Sequence, residues 1–151
     1  MATDWISIAT GDVENYLMAP QLNALRNAAR GESQGDPLPD IIQDAVSHVR
    51  RKIASCARNT LDTDITTVPP SLKTQTIYVT IFRAQVRIPV LKLTEDQIRA
   101  YNNAETDLNR IASCTDVVEQ PTDSVVSDSG GYAPLTTTPT RRFDHASQDG
   151  I

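Results

Sequence analysis

The sequence has little of what catalytic, metal-binding and disulfide-stabilised proteins depend on. Its 151 residues include two cysteines, two histidines and six glycines, and only 5% of them are aromatic. Two cysteines are too few for a disulfide framework, so we expect Cys56 and Cys114 to be small buried or boundary residues of a protein in a reducing cytosol. The scarcity of aromatic residues predicts a core built mainly from Ile, Val, Leu and Ala.

Motifs that organise known catalytic and ligand-binding sites are also missing from the sequence. His48 and His145 have no cysteine or carboxylate at a metal-ligand spacing, which predicts that no metal is bound. The glycines form no phosphate-binding motif. We therefore expect no cofactor and no catalytic residues, and we interpret the chain as a protein that is not an enzyme.

The sequence also lacks segments that would place it in a membrane. No apolar run approaches the roughly 18 residues that a membrane-spanning helix needs, which predicts no membrane partner. The first residues do not combine a basic region with an apolar one, so we expect no secretory signal. A length of 151 residues is typical of one domain and too short for two full ones.

Acidic residues outnumber basic ones by 19 to 14, and the two signs are unevenly distributed along the chain. Residues 38–93 carry eight basic and four acidic side chains, a net charge of +4, and the remainder of the chain carries −9. This pattern favours contacts between copies of the chain; alternatively, both signs are solvated or paired within one monomer. The cations that we expect to meet a neighbouring copy's acidic flanks are Arg50, Arg51, Lys52 and Arg58.

The same cations admit a second interpretation, a small helical DNA-binding regulator. Three consecutive cations on a helix spread over about 200°, because a helix turns once in roughly 3.6 residues, so they cannot all face one groove. Nearby aromatic residues for base stacking are absent, and the acidic net charge disfavours nonspecific binding. Affinity for DNA that falls with salt would favour the regulator.

Four segments have the apolar spacing of amphipathic helices or the residues that start them. A short helix is predicted to start at Thr10-Gly11-Asp12, and a second one to carry Pro20 in its first turn. A capping box of Thr94 and Gln97 predicts a helix that ends near Ser113. The strongest helix starts at Asp40, and its apolar stripe consists of Leu38, Ile41, Ile42, Ala45, Val46, Val49, Ile53, Ala54 and Ala57.

Residues 74–82 carry signals for two different structures. Their β-branched and aromatic residues (TQTIYVTIF) favour a strand. The double proline before them indicates instead the start of a helix, which Pro89 would end. The residues that would form one face of that helix are Leu72, Thr76, Val79, Phe82 and Val86.

The composition changes after Cys114. Of the 37 residues that follow, 16 are Ser, Thr, Gly or Pro, and no helical period continues. We therefore predict a helical core over residues 1–114 and an extended arm over residues 115–151. Ordering the arm costs more conformational entropy than its few apolar side chains can return, so we expect a partner chain to hold it. The residues that we expect to bind this partner are Val125, Val126, Tyr132, Arg141, Arg142, Phe143 and Ile151.

Several short motifs occur in a recognisable order along the chain. They are residues 10–17 (TGDVENYL), residues 19–25 (APQLNAL), the long helix from Asp40, and residues 68–73 (VPPSLK). In this order they resemble small head–tail connector proteins (adaptor or head-completion proteins) of long-tailed bacteriophages, particularly the Mu-like group. Residues 141–151 look like the C-terminal signature of that group, although His145 stands where Arg is usual and Ile151 replaces an aromatic residue.

The resemblance implies an all-α fold, a small helical bundle of four to five helices with a long extended C-terminal arm. It favours the helix at residues 74–88, although the β-branched run departs from the Ala- and Arg-rich helix of that group. It implies a homo-oligomeric ring, commonly a dodecamer, below the portal protein in the neck of the virion, assembled in the host cytoplasm. Such a ring joins the capsid to a tail terminator or another neck or tail protein. Genomic DNA passes through its lumen without sequence-specific binding.

Overall fold

The computed structural model describes residues 2–31 and 35–124. These residues form five α-helices: α1 Thr10–Glu14, α2 Ala19–Gly31, α3 Leu38–Ala54, α4 Lys73–Arg87 and α5 Glu95–Ala112. They also form four short strands: β1 Ala2–Thr3, β2 Ile6–Ser7, β3 Thr67–Val68 and β4 Gln120–Pro121. Strand β1 pairs in parallel with β4, and β2 pairs antiparallel with β3. The predicted all-α helical bundle is confirmed.

Helix α3 forms where one apolar stripe coincides with a local start signal. It begins at Leu38, slightly before the predicted start, and the side-chain Oδ1 of Asp36 accepts a hydrogen bond from the Leu38 backbone N–H at 3.0 Å. Ala54 and Ala57, which were predicted for the buried stripe, are exposed at and beyond the last turn. The remaining members of the stripe are buried: Leu38, Ile41, Ile42, Ala45, Val46, Val49 and Ile53.

Residues 73–87 form a helix, α4, and not a strand. The hydroxyl groups of the buried residues Thr76 and Thr80 donate hydrogen bonds, both at 2.8 Å, to the backbone oxygens of Leu72 and Thr76 one turn earlier. This local bonding lets β-branched polar residues enter a helix core, because each hydroxyl finds an acceptor within its own helix. Val86, which was predicted to share one face of this helix with Leu72, Thr76, Val79 and Phe82, is 71% exposed.

Helices α2 and α5 start with the predicted residues. Pro20 occupies the first turn of α2, where its missing N–H costs no hydrogen bond. At the start of α5, Thr94 Oγ1 accepts from the Gln97 N–H at 3.2 Å, and Gln97 Oε1 accepts from the Thr94 N–H at 2.9 Å. The Gln97 side chain also bonds to Gln21, which joins the starts of the two helices.

Helices α3 and α5 are parallel neighbours in a fixed register. The Nε2 atom of His48 lies 2.8 Å from Oε1 of Glu105, and one turn later Lys52 Nζ donates to Asn109 Oδ1 at 2.6 Å. The two pairs have the same sequence separation, 57 residues, as expected for helices that run in the same direction. Helix α4 packs against both of them.

Just beyond the ends of these two helices, Cys56 and Cys114 form a disulfide, with their Cα atoms 5.2 Å apart. The expectation of two unbonded cysteines is therefore wrong, and so is the argument for a reducing cytosol that rested on it. The cause is the parallel register, which brings the C-terminal ends of α3 and α5 to the same end of the bundle. The number of cysteines carries no information about which helix ends meet.

Residues 115–124, assigned to the arm from the sequence, pack against the helical core. Val118 is buried, and its backbone N–H donates to Asn59 Oδ1 at 3.4 Å. The indole Nε1 of Trp5 donates to the Glu119 carbonyl at 3.0 Å. The packed unit therefore extends at least to Ser124. The seven predicted partner-binding residues of the arm, 125 to 151, lie outside the described residues.

Replacing both cysteines with alanine should lower the free energy of unfolding by about 4 kcal/mol. The reason is that the disulfide joins residues 58 positions apart and so closes a long loop in the unfolded chain. Urea unfolding of the variant and the oxidised parent measures the difference. Adding dithiothreitol should bring the parent to the variant's midpoint and leave the variant unchanged. Equal midpoints for the variant and the oxidised parent would contradict this prediction.

Asp12 should make the stability of the fold sensitive to acid. Its Oδ1 accepts from Lys73 Nζ at 2.8 Å and its Oδ2 from the Ala9 N–H at 3.0 Å, and the Lys73 bond is the main cause of the lowered pKa of this carboxyl group. A carboxyl group with a lower pKa in the folded state stabilises the fold above its ordinary value of 3.8, and this contribution is lost as the pH falls further.

Asp12→Asn should therefore destabilise the protein at pH 7, by only about 1 kcal/mol because water reaches the pair. The difference from the parent should shrink by pH 3. Urea midpoints at the two pH values test this, and a difference that does not change with pH would disprove it.

Candidate interaction surface

No helix within the described residues is both apolar and long enough to cross a membrane. The same residues, 2–31 and 35–124, contain no group of three or more His, Cys, Asp or Glu side chains placed to hold a metal ion. Two other features of these residues bear on function: the four predicted cations on and after α3, and an apolar groove beside α4.

Arg50, predicted as a contact between subunits, points into the protein. It is 8% exposed, and its guanidinium donates to the Thr67 carbonyl at 2.8 Å and to the Asp62 carbonyl at 2.6 Å. The guanidinium carbon also lies 5.4 Å from the centroid of a Trp5 ring, within the range of a cation–π interaction. Arg50 therefore joins α3 to β3 and to the loop before it, and is not available to a partner.

Burial lowers the pKa of Arg50, and the nearby Asp62 and Asp64 carboxylates act in the opposite direction. Arginine remains charged at neutral pH because its ordinary pKa is so high. The buried positive charge is thus balanced by two carbonyl dipoles, an aromatic face and two acidic side chains.

The other three predicted cations have different environments. Lys52 is half-buried and bonds to Asn109 of α5, as described above. Arg51 and Arg58 are exposed, and neither forms an ion pair with any residue in the described part of the chain. The predicted cluster is therefore divided between the interior, a helix–helix contact and the surface, and only Arg51 and Arg58 are free to meet another molecule.

An apolar groove of about 370 Å³ lies between α3, α4 and α5. We call it the α4 groove. Its two aromatic lining residues, Phe82 of α4 and Tyr101 of α5, are stacked with their ring centroids 3.9 Å apart and their planes at 3°. Val86 lies one turn after Phe82 and is largely exposed. The residues that line the groove are Ile41, Asp44, Phe82, Arg83, Val86, Arg87 and Tyr101.

Helical spacing explains the composition of the groove. Residues four apart on a helix lie on the same face, so α4 presents an apolar pair, Phe82 and Val86, beside a cationic pair, Arg83 and Arg87. Neither arginine forms an ion pair with another residue that the structure describes. Asp44 of α3 supplies the one carboxylate among the lining residues.

Tyr101 contributes a polar group to this groove. Burial and the nearby Glu105 carboxylate raise the pKa of its hydroxyl group, while Arg83 acts in the opposite direction. The hydroxyl therefore stays protonated at neutral pH. It is a hydrogen-bond donor beside an otherwise apolar and cationic surface.

The apolar surface continues past the end of α4. Val90 is 74% exposed and, with Ala28, Pro37, Arg87, Ile88 and Pro89, lines a second hollow of about 220 Å³. Arg87 borders both the groove and this hollow. Large exposed apolar side chains are common singly, but Val86 and Val90 border two neighbouring hollows, and contiguous exposed apolar surface of this kind marks a candidate interaction site.

Reasoning from the sequence did not identify this surface. It assigned no role to Arg83 or Arg87, and it placed Val86 on one helix face with Phe82 without identifying that face as part of a binding surface. The spacing of the two arginines was a signal, because the repeat of four residues puts them on one helix face. The position of that face relative to α3 and α5 depends on how the three helices pack, which the sequence pattern alone does not specify.

No known family model, curated protein or solved structure matches the chain.

Arg50→Ala should destabilise the fold by about 2–4 kcal/mol, because it removes packing against Trp5 and leaves two inward-facing carbonyls without a donor. The neighbouring exposed residue gives a matched control, since Arg51→Ala should change stability by less than about 0.5 kcal/mol. Urea unfolding of both variants measures the contrast. Similar effects for the two substitutions would mean that Arg50 is not part of the interior in solution.

Proposed function

We propose that this protein is a structural subunit of a bacteriophage virion, a head–tail connector that assembles into a ring below the portal. The observation that carries the proposal is the α4 groove, an apolar surface with two arginines that have no ion-pair partner among the described residues. A surface of this kind gains free energy when another protein covers it, because apolar area leaves water and the arginines find acceptors.

Ring formation requires that each copy present two different surfaces. A head-to-tail interface between unlike surfaces produces a closed ring when its rotation closes. The α4 groove provides one such surface. We assign the second to the C-terminal arm, whose apolar residues include Val125, Val126, Tyr132, Phe143 and Ile151. The two valines suit addition to a neighbouring copy's sheet edge.

Charge supports the same proposal. The chain carries a net charge of −5. On its basic middle segment the exposed cations Arg51, Arg58 and Arg87 pair with no carboxylate of the described residues, which suits contact with acidic flanks of a neighbour. A net negative subunit also suits a channel through which DNA moves without being held, because like charges repel. The partners in this proposal are further copies of the chain, the portal protein and a neck or tail protein.

Imaging the purified full-length chain by electron microscopy, with its mass measured by sedimentation velocity, tests the proposal. We expect annular particles whose mass is a multiple of 16.5 kDa. A chain that remains monomeric at every concentration and binds DNA with a strong dependence on salt would instead identify the regulator considered above.

Removing residues 133–151 should abolish assembly without unfolding the core, because the helices, the disulfide and the strand pairs of the described residues are all formed without them. Sedimentation velocity measures assembly, and the urea midpoint reports the core. The expected result is a monomer with an unchanged midpoint. A truncated chain that still forms rings would disprove the role of the arm.

A further inference from the structure

We propose that the α4 groove of one copy receives the arm of a neighbouring copy, with Phe143 in the groove and Asp144 facing Arg83 and Arg87. This inference rests on the proposed function and identifies the surface that each copy uses to hold the next.

The groove determines what kind of segment it can bind. Its stacked rings and Val86 suit one large apolar side chain, and its volume of about 370 Å³ is at the small end of the range for ligand sites. The arginines on α4 suit a carboxylate close to that side chain, because a guanidinium can form two hydrogen bonds with one carboxylate. The matching motif is an aromatic or large aliphatic residue next to an acid.

The arm contains one aromatic residue with an acidic neighbour. Tyr132 lies between Gly131 and Ala133, which carry no charge, whereas Phe143 is followed directly by Asp144. Arg142 precedes Phe143 and matches the remaining charged group of the groove, Asp44. Phe143 and its neighbours thus complement the groove in apolar character and in charge of both signs.

The linking segment is long enough to reach another copy. Residues 125–142 span up to roughly 60 Å when extended. A globule of the size of the described part has a radius of gyration of about 13–14 Å, hence a diameter of roughly 35 Å. The arm can therefore cross its own globule and enter a neighbour's groove. In a ring, this exchange gives every copy one donated arm and one filled groove.

Photo-crosslinking of the full-length chain tests which groove is occupied. One preparation carries p-benzoylphenylalanine in place of Phe143, and a second, unmodified preparation is uniformly labelled with ¹⁵N. After subunits are mixed and irradiated, we expect mass spectrometry to find residue 143 of the unlabelled chain joined to labelled peptides that contain Phe82 or Val86. Crosslinks within one chain only, or crosslinks to another surface, would overturn the proposal.

Charge exchange tests the contact with the arginines. Arg87→Glu and Asp144→Arg should each weaken assembly by about tenfold, a size typical of a lost charge-assisted contact, and the double variant should recover most of the loss. Arg99→Glu is the control, because Arg99 is an exposed cation on α5 that does not line the groove, and it should assemble as the parent does. A double variant no better than the single variants would overturn the contact.

A third pair of variants tests the apolar contact. Val86→Asp should weaken assembly at least as strongly as Arg87→Glu. The control is Ile65→Asp, which should leave assembly unchanged, because Ile65 is 68% exposed and lies outside the groove. Equal effects of Val86→Asp and Ile65→Asp on assembly would show that the groove has no special role. Rings that form normally with an empty groove would overturn this inference and leave the connector function intact, whereas a chain that never assembles would overturn both.

Discussion

The parallel register of α3 and α5 is the constraint on which the rest of the described structure depends. Three contacts in successive turns maintain it: His48 with Glu105, Lys52 with Asn109, and the disulfide between Cys56 and Cys114. The first two are polar contacts that water weakens, whereas the third is covalent. Because α4 packs against both helices, the same register determines which residues of α4 lie beside α3 and which beside α5.

This arrangement separates two regions along α3. Three features lie near its C-terminal end: the disulfide, the inward-pointing Arg50, and strand β4, which pairs with β1. Near its N-terminal end, Ile41 meets the later turns of α4 and the earlier turns of α5, where the groove forms. Nine residues separate Ile41 from Arg50, about 14 Å along a helix. The chain leaves the described structure at Ser124, beside Asp62, whose carbonyl accepts from Arg50.

The sequence predicted the features that depend on local chemistry. The stripe on α3 and the capping box of Thr94 and Gln97 could be found because helical spacing and a cap involve neighbouring residues. At Thr76 and Thr80, strand propensity was outweighed by hydroxyl bonds within the helix, which a propensity scale does not count. The resemblance to phage connectors favoured the same result.

The features missed from the sequence depend on which distant elements meet. Cys56 and Cys114 bond because two helix ends coincide, and Arg50 is buried because a distant loop offers carbonyls. Val86 is exposed because none of the elements that the structure describes covers it. None of these follows from the residue's neighbours along the chain. The candidate groove was missed for the same reason, since its walls come from three helices. The arm residues from Val125 onwards, and the connector function, remain predictions.

The exit at Ser124 and the groove lie towards opposite ends of α3, which gives each subunit a direction. In the proposed ring, copies joined through these two regions would all point the same way around a circle, so the two faces of the ring could not be identical. An incomplete arc would keep one empty groove at one end and one unused arm at the other, and only closure of the ring would bring the two together. The geometry of a single subunit would thereby make one face of the ring different from the other, as a ring that binds a different structure on each face requires.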